Sequence, residues 1–208
     1  MSTERIDVRI HPTAEVSDAA DLAPGVRIWN HCQVREGARI GRGCILSKDV
    51  YIDSGVVIGD HCKIQNGISV YHGVTLEYGV FLGPHMVFTN DLRPRAINPD
   101  GSLKGGADWV VSETRIGHGA SVGAGAVIVC GVTIGPWAMI GAGAVVTRDV
   151  PAHGLVYGNP ARLHGFVSPA GHKLALTDAD GDAVVLRCTE SDFELRLTRA
   201  EYAKVQPA

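Results

Sequence analysis

The chain has 208 residues, 45% of them hydrophobic, with 26 glycines and a net charge of −3. That length suits one large domain, or one with a small appendage. The balance is faintly acidic and no basic run occurs, which argues against a nucleic-acid surface. No apolar run reaches the length of a membrane span, and Met1 to Arg9 is too polar for a signal peptide. A cytoplasmic protein with no nucleic-acid or membrane partner is therefore expected. The five cysteines form no CxxC pair, so neither a zinc ribbon nor a disulfide frame is supported.

Residues 1–9 read as a short strand covering an open end, because an uncovered sheet edge is sticky. From Ile10 to Phe88 every sixth residue is large and apolar: Ile10, Val16, Leu22, Ile28, Val34, Ile40, Leu46, Ile52, Ile58, Ile64, Val70, Leu76, Leu82 and Phe88. Four positions after most of these stands a smaller residue, such as Ala14, Val26, Ala38 or Val56. A period of six is neither the 3.6 of a helix nor plain strand alternation. It suits a short strand, a corner and another short strand, so three hexads make one triangular coil. The large residue and its partner point inward, and backbone groups pair between coils spaced about 4.8 Å apart. Such a period marks a solenoid. Cys32, Cys44 and Cys62 fall on inward positions and read as small core residues.

The phase then breaks. Val110 lies 22 positions after Phe88 where six would continue the pattern, so about 16 are inserted. This insert, residues 89–109, reads as a functional loop on a rigid scaffold. The phase resumes at Val110 and runs through Ile116, Val122, Ile128, Ile134, Ile140 and Val146, until Pro151 ends it. Gly-x-Gly units such as Gly123/Gly125 and Gly141/Gly143 suit tight corners. The chain therefore divides at residue 168. Residues 169–208 form a small β-ribbon from Leu174–Leu176, Ala183–Cys188 and Phe193–Leu197, ended by a helical turn at Arg199–Lys204.

In a filled β-helix a site must lie on the outside. Stepping by one coil places Asn90 above His72 and Ser54. With the inserted stretch subtracted, Ala124 and Ala142 follow above Asn90. One face then presents a polar cluster, His72 and Asn90, beneath a smooth strip of Gly123, Ala124, Gly141 and Ala142. A neighbouring face stacks Asn30, Lys48 and Asn66, with His31 and His85 nearby. A smooth strip lets a long thin ligand lie against backbone, and a polar cluster at its end orients a reacting group.

The repeat resembles that of the hexapeptide acyltransferase superfamily. The resemblance implies an all-β chain: a left-handed parallel β-helix of hexapeptide repeats with one inserted loop and a small C-terminal β-ribbon. Lys63-Ile64-Gln65-Asn66-Gly67-Ile68-Ser69-Val70-Tyr71, Phe81-Leu82-Gly83-Pro84, Phe88-Thr89-Asn90-Asp91 and Pro94-Arg95-Ala96 narrow it. These stretches resemble the bacterial UDP-2-acetamido-3-amino-2,3-dideoxy-glucuronate N-acetyltransferases of surface-polysaccharide biosynthesis. Val156-Tyr157-Gly158-Asn159-Pro160-Ala161-Arg162 resembles the coenzyme A-side terminal segment of hexapeptide acetyltransferases. The resemblance implies a homotrimer, with acetyl-CoA and a UDP-amino-sugar bound between adjacent prisms.

Two departures are informative. Many hexapeptide O-acetyltransferases carry a histidine base near the start of the loop, where this chain has Thr89-Asn90-Asp91. An amide is no base at neutral pH. An alcohol acceptor needs one, whereas an amine is already partly a free nucleophile. Asn90 is thus expected to position the amine or the thioester oxygen, with His72 the rival as base. Relatives also often carry a cysteine-rich zinc ribbon, whereas this C-terminal region has only Cys188, so no metal is expected. Arg95 suits a sugar carboxylate or a phosphate. Gln65 and Asn66 are candidates for the sugar or uracil, and Asn30 and His31 are weaker substrate candidates. Tyr71, with Trp29 and Trp109, either stacks a base or seals the trimer. Gly123, Ala124, Gly141, Ala142, Asn159 and Arg162 are the candidates for acetyl-CoA, Arg162 through the phosphates. Three other readings stay open: a dTDP-amino-deoxy sugar as acceptor, a γ-type carbonic anhydrase-like zinc protein, and a binding module without catalysis. The second has His31, His72, His85 and His118 available, but no His-x4-His pair near His118.

Overall fold

The computed structural model describes residues 7–206. Within them the chain forms a left-handed parallel β-helix whose strands are mostly two residues long. Each coil contributes one strand to each of three faces. The first face stacks Arg9–Ile10, Arg27–Ile28, Ile45–Leu46, Lys63–Ile64, Phe81–Leu82, Ser121–Val122 and Met139–Ile140. The third face runs from Asp21–Leu22 to Thr133–Ile134. The second runs from Glu15–Val16 to Ser69–Val70 and again from Val87–Phe88 to Val145–Val146, divided into two sheets between those stretches. Of the lead-in expected over residues 1–9, residues 1–6 lie outside the described residues. Arg9–Ile10 does not cover the end; it is a strand of the first coil, paired with Arg27–Ile28.

Why the period gives this fold is visible in the burial. Ile28, Leu46, Ile64 and Leu82 are buried on the first face, and Val34, Ile52 and Val70 on the second. Their partners four positions on, Cys32, Val50, Ile68 and Met86, fill the corners and are buried too. Each such side chain stabilises the fold by roughly 1.5–3 kcal/mol. Cys32, Cys44 and Cys62 sit in this core as free thiols.

One expectation is corrected. Val110 is not core; it is 79% exposed, and the buried pattern resumes at Thr114 and Ile116. Across one unbroken coil Val57 pairs with Thr75, whereas across the insertion Val74 pairs with Thr114. The insertion is therefore one hexad longer than the phase suggests. Val110 matched the phase by spacing alone, and the chain spends it in the loop.

Above the last full coil, Gly154–Gly158 adds to the first face and folds back as a hairpin with Ala161–Phe166. The ribbon follows as antiparallel strands Leu174–Asp180, Ala183–Cys188 and Glu194–Thr198, then a one-turn helix at Arg199–Tyr202. Val184, Leu186 and Cys188 of the ribbon belong to the same apolar cluster as the coils.

The Gly-x-Gly units have a divided role. Gly125 and Gly143 have φ of 65° and 69°, the left-handed turn expected of them. Gly123 and Gly141 do not; they are glycine because the next coil lies against them. A Cβ on Gly123 would stand 2.5 Å from the backbone nitrogen of Ala142, and one on Gly141 would stand 2.7 Å from Cβ of Tyr157. Gly123→Ala should therefore push two coils apart and destabilise the protein by about 1–3 kcal/mol. Ala124→Ser, on the exposed neighbour, should leave the melting temperature unchanged. Thermal denaturation of both variants checks this.

Candidate active site

Lengthening the insertion by one hexad rearranges the expected site. Phe88 pairs with Ile128, and Ile128 with Val146. Asn90 therefore lies beneath Cys130 and Arg148, not beneath Ala124 and Ala142. Gly83 lies beneath Gly123 and Ala124 instead. The smooth strip thus belongs to the corner between the first and second faces, above Asn30, Lys48, Asn66 and Pro84. His72 and Asn90 occupy the next corner, between the second and third faces, where the insert emerges.

At that second corner a polar cluster is built from three coils. The Nδ1 of His72 lies 3.0 Å from the carbonyl oxygen of Ser54. A carbonyl only accepts, so Nδ1 carries the proton and the Nε2 lone pair of the neutral ring is free for a substrate proton. Asp53 holds the turn: one oxygen accepts from the Ser54 N–H at 2.8 Å and the Tyr51 hydroxyl at 2.9 Å, the other from the His72 N–H at 3.2 Å. Partial burial pushes the Asp53 carboxyl up, but these donors outweigh it and its pKa lies below the ordinary carboxylate value. Trp109, at the end of the insert, tilts over His72 with ring centroids 6.2 Å apart. Its indole N–H donates to the Asn90 carbonyl at 3.0 Å. Histidine, indole and asparagine are thereby gathered at one corner, and the Asn90 side-chain amide makes no hydrogen bond among the described residues. Tyr71 is half-buried beside them, its ring 6.4 Å from that of Tyr51.

At the first corner, His31 and Lys48 both meet the carboxylate of Asp49, at 3.4 and 3.1 Å. Asn66 is exposed and Gln65 half-buried. The Asn66 carbonyl accepts from the His85 N–H at 2.9 Å, and that of Asn30 from the Asp49 N–H at 3.1 Å. Ala124 and Ala142 are exposed. Asn159 sits at the tip of the terminal hairpin, and Arg162 lines a cavity beside it. Arg95 is exposed on the insert, in an open groove of about 690 Å³ shared with Arg93 and Lys104. Among the described residues, no three His, Cys, Asp or Glu are grouped to hold a metal ion. Among the described residues, no helix is long and apolar enough to cross a membrane.

Comparison with known proteins adds to this geometry. The model "Bacterial transferase hexapeptide (six repeats)" matches residues 113–148, and "Hexapeptide repeat of succinyl-transferase" matches residues 34–72. The coils are hexapeptide repeats. A dTDP-3-amino-3,6-dideoxy-alpha-D-galactopyranose 3-N-acetyltransferase from Aneurinibacillus thermoaerophilus is 42% identical over 65 residues, 31% of this chain and 34% of that protein. PerB from Caulobacter crescentus, solved with CoA and GDP-perosamine, superposes with a TM-score of 0.52 at 28% identity, covering 77% of this chain and 58% of that one. The acetyltransferase domain of PglB from Neisseria gonorrhoeae gives 0.52 at 25% identity, over 76% and 58%. The chain thus spans about a third of the curated relative and less than two thirds of each solved chain.

Two participants, Asp53 and Arg148, escaped the sequence reading. Asp53 and Ser54 orient His72 through contacts that step across coils, and only Ser54 was visible from the stacking of coils. Arg148 stacks above Asn90, which the sequence would have given had the insertion been counted one hexad longer. The Asp53 hydrogen bonds yield a prediction about pH. A carboxyl with a lowered folded pKa stabilises fully above its unfolded value of about 3.9 and loses that contribution as pH falls through the folded value. Wild-type stability should fall through that acid window, and Asp53→Asn should flatten the fall while costing about 1 kcal/mol at pH 7. Melting temperature measured against pH for both proteins checks it.

Proposed function

We propose that this protein is an acetyl-CoA-dependent N-acetyltransferase for the amino group of a nucleotide sugar, with UDP-2-acetamido-3-amino-2,3-dideoxy-glucuronate as acceptor in surface-polysaccharide biosynthesis. The observation that carries it is the pairing of a smooth Gly/Ala strip with a corner where His72 and Asn90 converge under Trp109. Support comes from the relatives: one is named a 3-N-acetyltransferase of a nucleotide amino sugar, and another was solved with CoA and a nucleotide sugar.

The two corners flank the second face, one on each side. Its upper part presents Val87, Val127 and Val145 outward, with Val87 46% exposed. The upper first face is partly covered, since the Met139 side chain lies against Gly171. The third face presents Arg115 and Thr133. The apolar second face is therefore the one to pack around a threefold axis in a homotrimer. Threefold symmetry then sets the first corner of one prism beside the second corner of its neighbour. Each groove between subunits holds the strip of one chain and the His72–Asn90 cluster of the next.

In that groove acetyl-CoA supplies the thioester whose acetyl carbon the sugar amine attacks; the C–N bond forms, the C–S bond breaks and the thiolate leaves. Asn90 holds the amine or the thioester oxygen through its free amide. His72 accepts the amine proton at Nε2, the nitrogen that the Ser54 carbonyl leaves free. Arg95, with Arg93 and Lys104, meets the sugar carboxylate or diphosphate. Gln65, Asn66, Asn30 and His31 lie on the substrate side of the strip. A dTDP-amino-deoxy sugar is the second reading, favoured by the Aneurinibacillus relative.

Asn90→Ala should lower kcat about 100-fold, the scale of losing one oriented donor, with an unchanged melting temperature. The acceptor is tested by CoA thiol release from acetyl-CoA with the UDP-3-amino-glucuronate sugar, its uncharged counterpart and a dTDP-3-amino sugar. Release with the acid alone supports the reading. Release with a neutral sugar instead replaces the acceptor, and release with none overturns the activity.

A further inference from the structure

The lower first face carries one sign of charge. Its outward column reads Arg9, Arg27, Ile45, Lys63 and Phe81, each exposed or half-buried. Arginine and lysine recur there and no acid does. The second face starts on Glu15 and Gln33, and the third sets Arg39 directly above Asp21. Among the described residues, the ion pairs include none of Arg9, Arg27 and Lys63. Acids bordering the face are engaged: Asp49 meets His31 and Lys48, and Oδ1 of Asp60 accepts from the Arg42 N–H at 2.8 Å. Like charges in one column repel unless an anion joins them. A net charge of −3 over the whole chain conceals this face.

Apolar groups are interleaved with the cations. Phe81 is 37% exposed, and Trp29, on the first corner close to Arg27, is 52% exposed. At the foot of the face a cavity of about 410 Å³ is lined by Ile10, Pro12, Ile28 and Trp29 together with Arg9 and Arg27. From Arg9 to Phe81 the column crosses four coil spacings, about 19 Å. Its residues recur at intervals of 18, so no insertion rises beside it. The result is a level stripe in which guanidinium and ammonium groups alternate with apolar side chains.

That mixture selects the partner. Arginine and lysine beside exposed indole and phenyl rings suit the boundary of an anionic bilayer, where headgroup phosphates lie over hydrocarbon. A single-stranded nucleic acid is met by a groove that tracks its backbone, whereas this face is flat. In the homotrimer proposed above the second faces meet, and the first faces look outward.

We propose that the lower first face docks on an anionic lipid bilayer, with Arg9, Arg27 and Lys63 on headgroup phosphates and Trp29 and Phe81 among the headgroups. The proposal goes beyond the acetyltransferase reading and does not depend on it. The full-length protein is floated with phosphatidylcholine vesicles, with and without phosphatidylglycerol, at low and at high salt. Wild type should bind only the vesicles that contain phosphatidylglycerol, and high salt should release most of it. Arg27→Gln and Lys63→Gln should each weaken binding about fivefold, the scale of one cation at an anionic surface. Phe81→Ser should weaken it about threefold, through lost apolar contact. Arg39→Gln, on the third face, should bind like wild type. All four side chains are exposed, so each variant should keep the wild-type melting temperature. Failure of wild type to bind phosphatidylglycerol vesicles, equal binding to phosphatidylcholine alone, or equal losses in Arg39→Gln and Arg27→Gln would overturn the proposal. Wild-type binding by Phe81→Ser, or displacement of the protein from vesicles by single-stranded RNA, would replace the bilayer with a polyanion and overturn it too.

Discussion

Everything in this molecule depends on the hydrogen bonds between coils. A two-residue strand has no stability by itself, so each is held only by the strands above and below. Those bonds require successive coils to repeat at a fixed height and phase, and the core requires one large residue per hexad. The glycine column shows how narrow the spacing is: at Gly123 there is no room for even a methyl group beside the backbone of the next coil. Chemistry is thereby driven to the corners, where side chains point outward and the phase permits an insertion.

The insertion is where the regularity of the coils is interrupted. It leaves the corner between the second and third faces, at the level where the second face divides into two sheets. Its end returns Trp109 over His72 and onto the Asn90 carbonyl. A rigid stack thus receives a local clasp, and the histidine beneath is fixed in tautomer by a carbonyl one coil below. His72 and Asn90 are organised by their own chain, and the smooth strip is organised by the same chain on another corner. In the proposed homotrimer it is symmetry that brings the two together.

Most of the fold was legible in the sequence because the period is strict and local. Ile64, Ile68, Leu82 and Phe88 are buried as their phase requires, and Val184, Leu186 and Cys188 of the ribbon alternate inward, whereas Leu176 is exposed. The site was less legible for one reason. Val110 matches the phase by chance of spacing, yet it is exposed, and taking it as core miscounted the insertion by one hexad, one side of the triangle. That error set the Gly/Ala strip on the corner of Asn90 and hid Arg148 above it. Contacts such as Asp53 to the His72 N–H depend on turn geometry, which a repeat pattern does not encode.

The central claim is that each site is shared between two chains, one giving the strip and the other the His72–Asn90 cluster. The direct test mixes two inactive chains, Asn90→Ala and Ala142→Trp, by co-expression, and measures acetyl transfer by the assembled protein. Random threefold assembly of equal amounts should restore about a quarter of the wild-type sites, since a groove between an intact strip and an intact cluster is whole. Activity no higher than that of the separate variants would contradict the shared site and return both elements to a single chain.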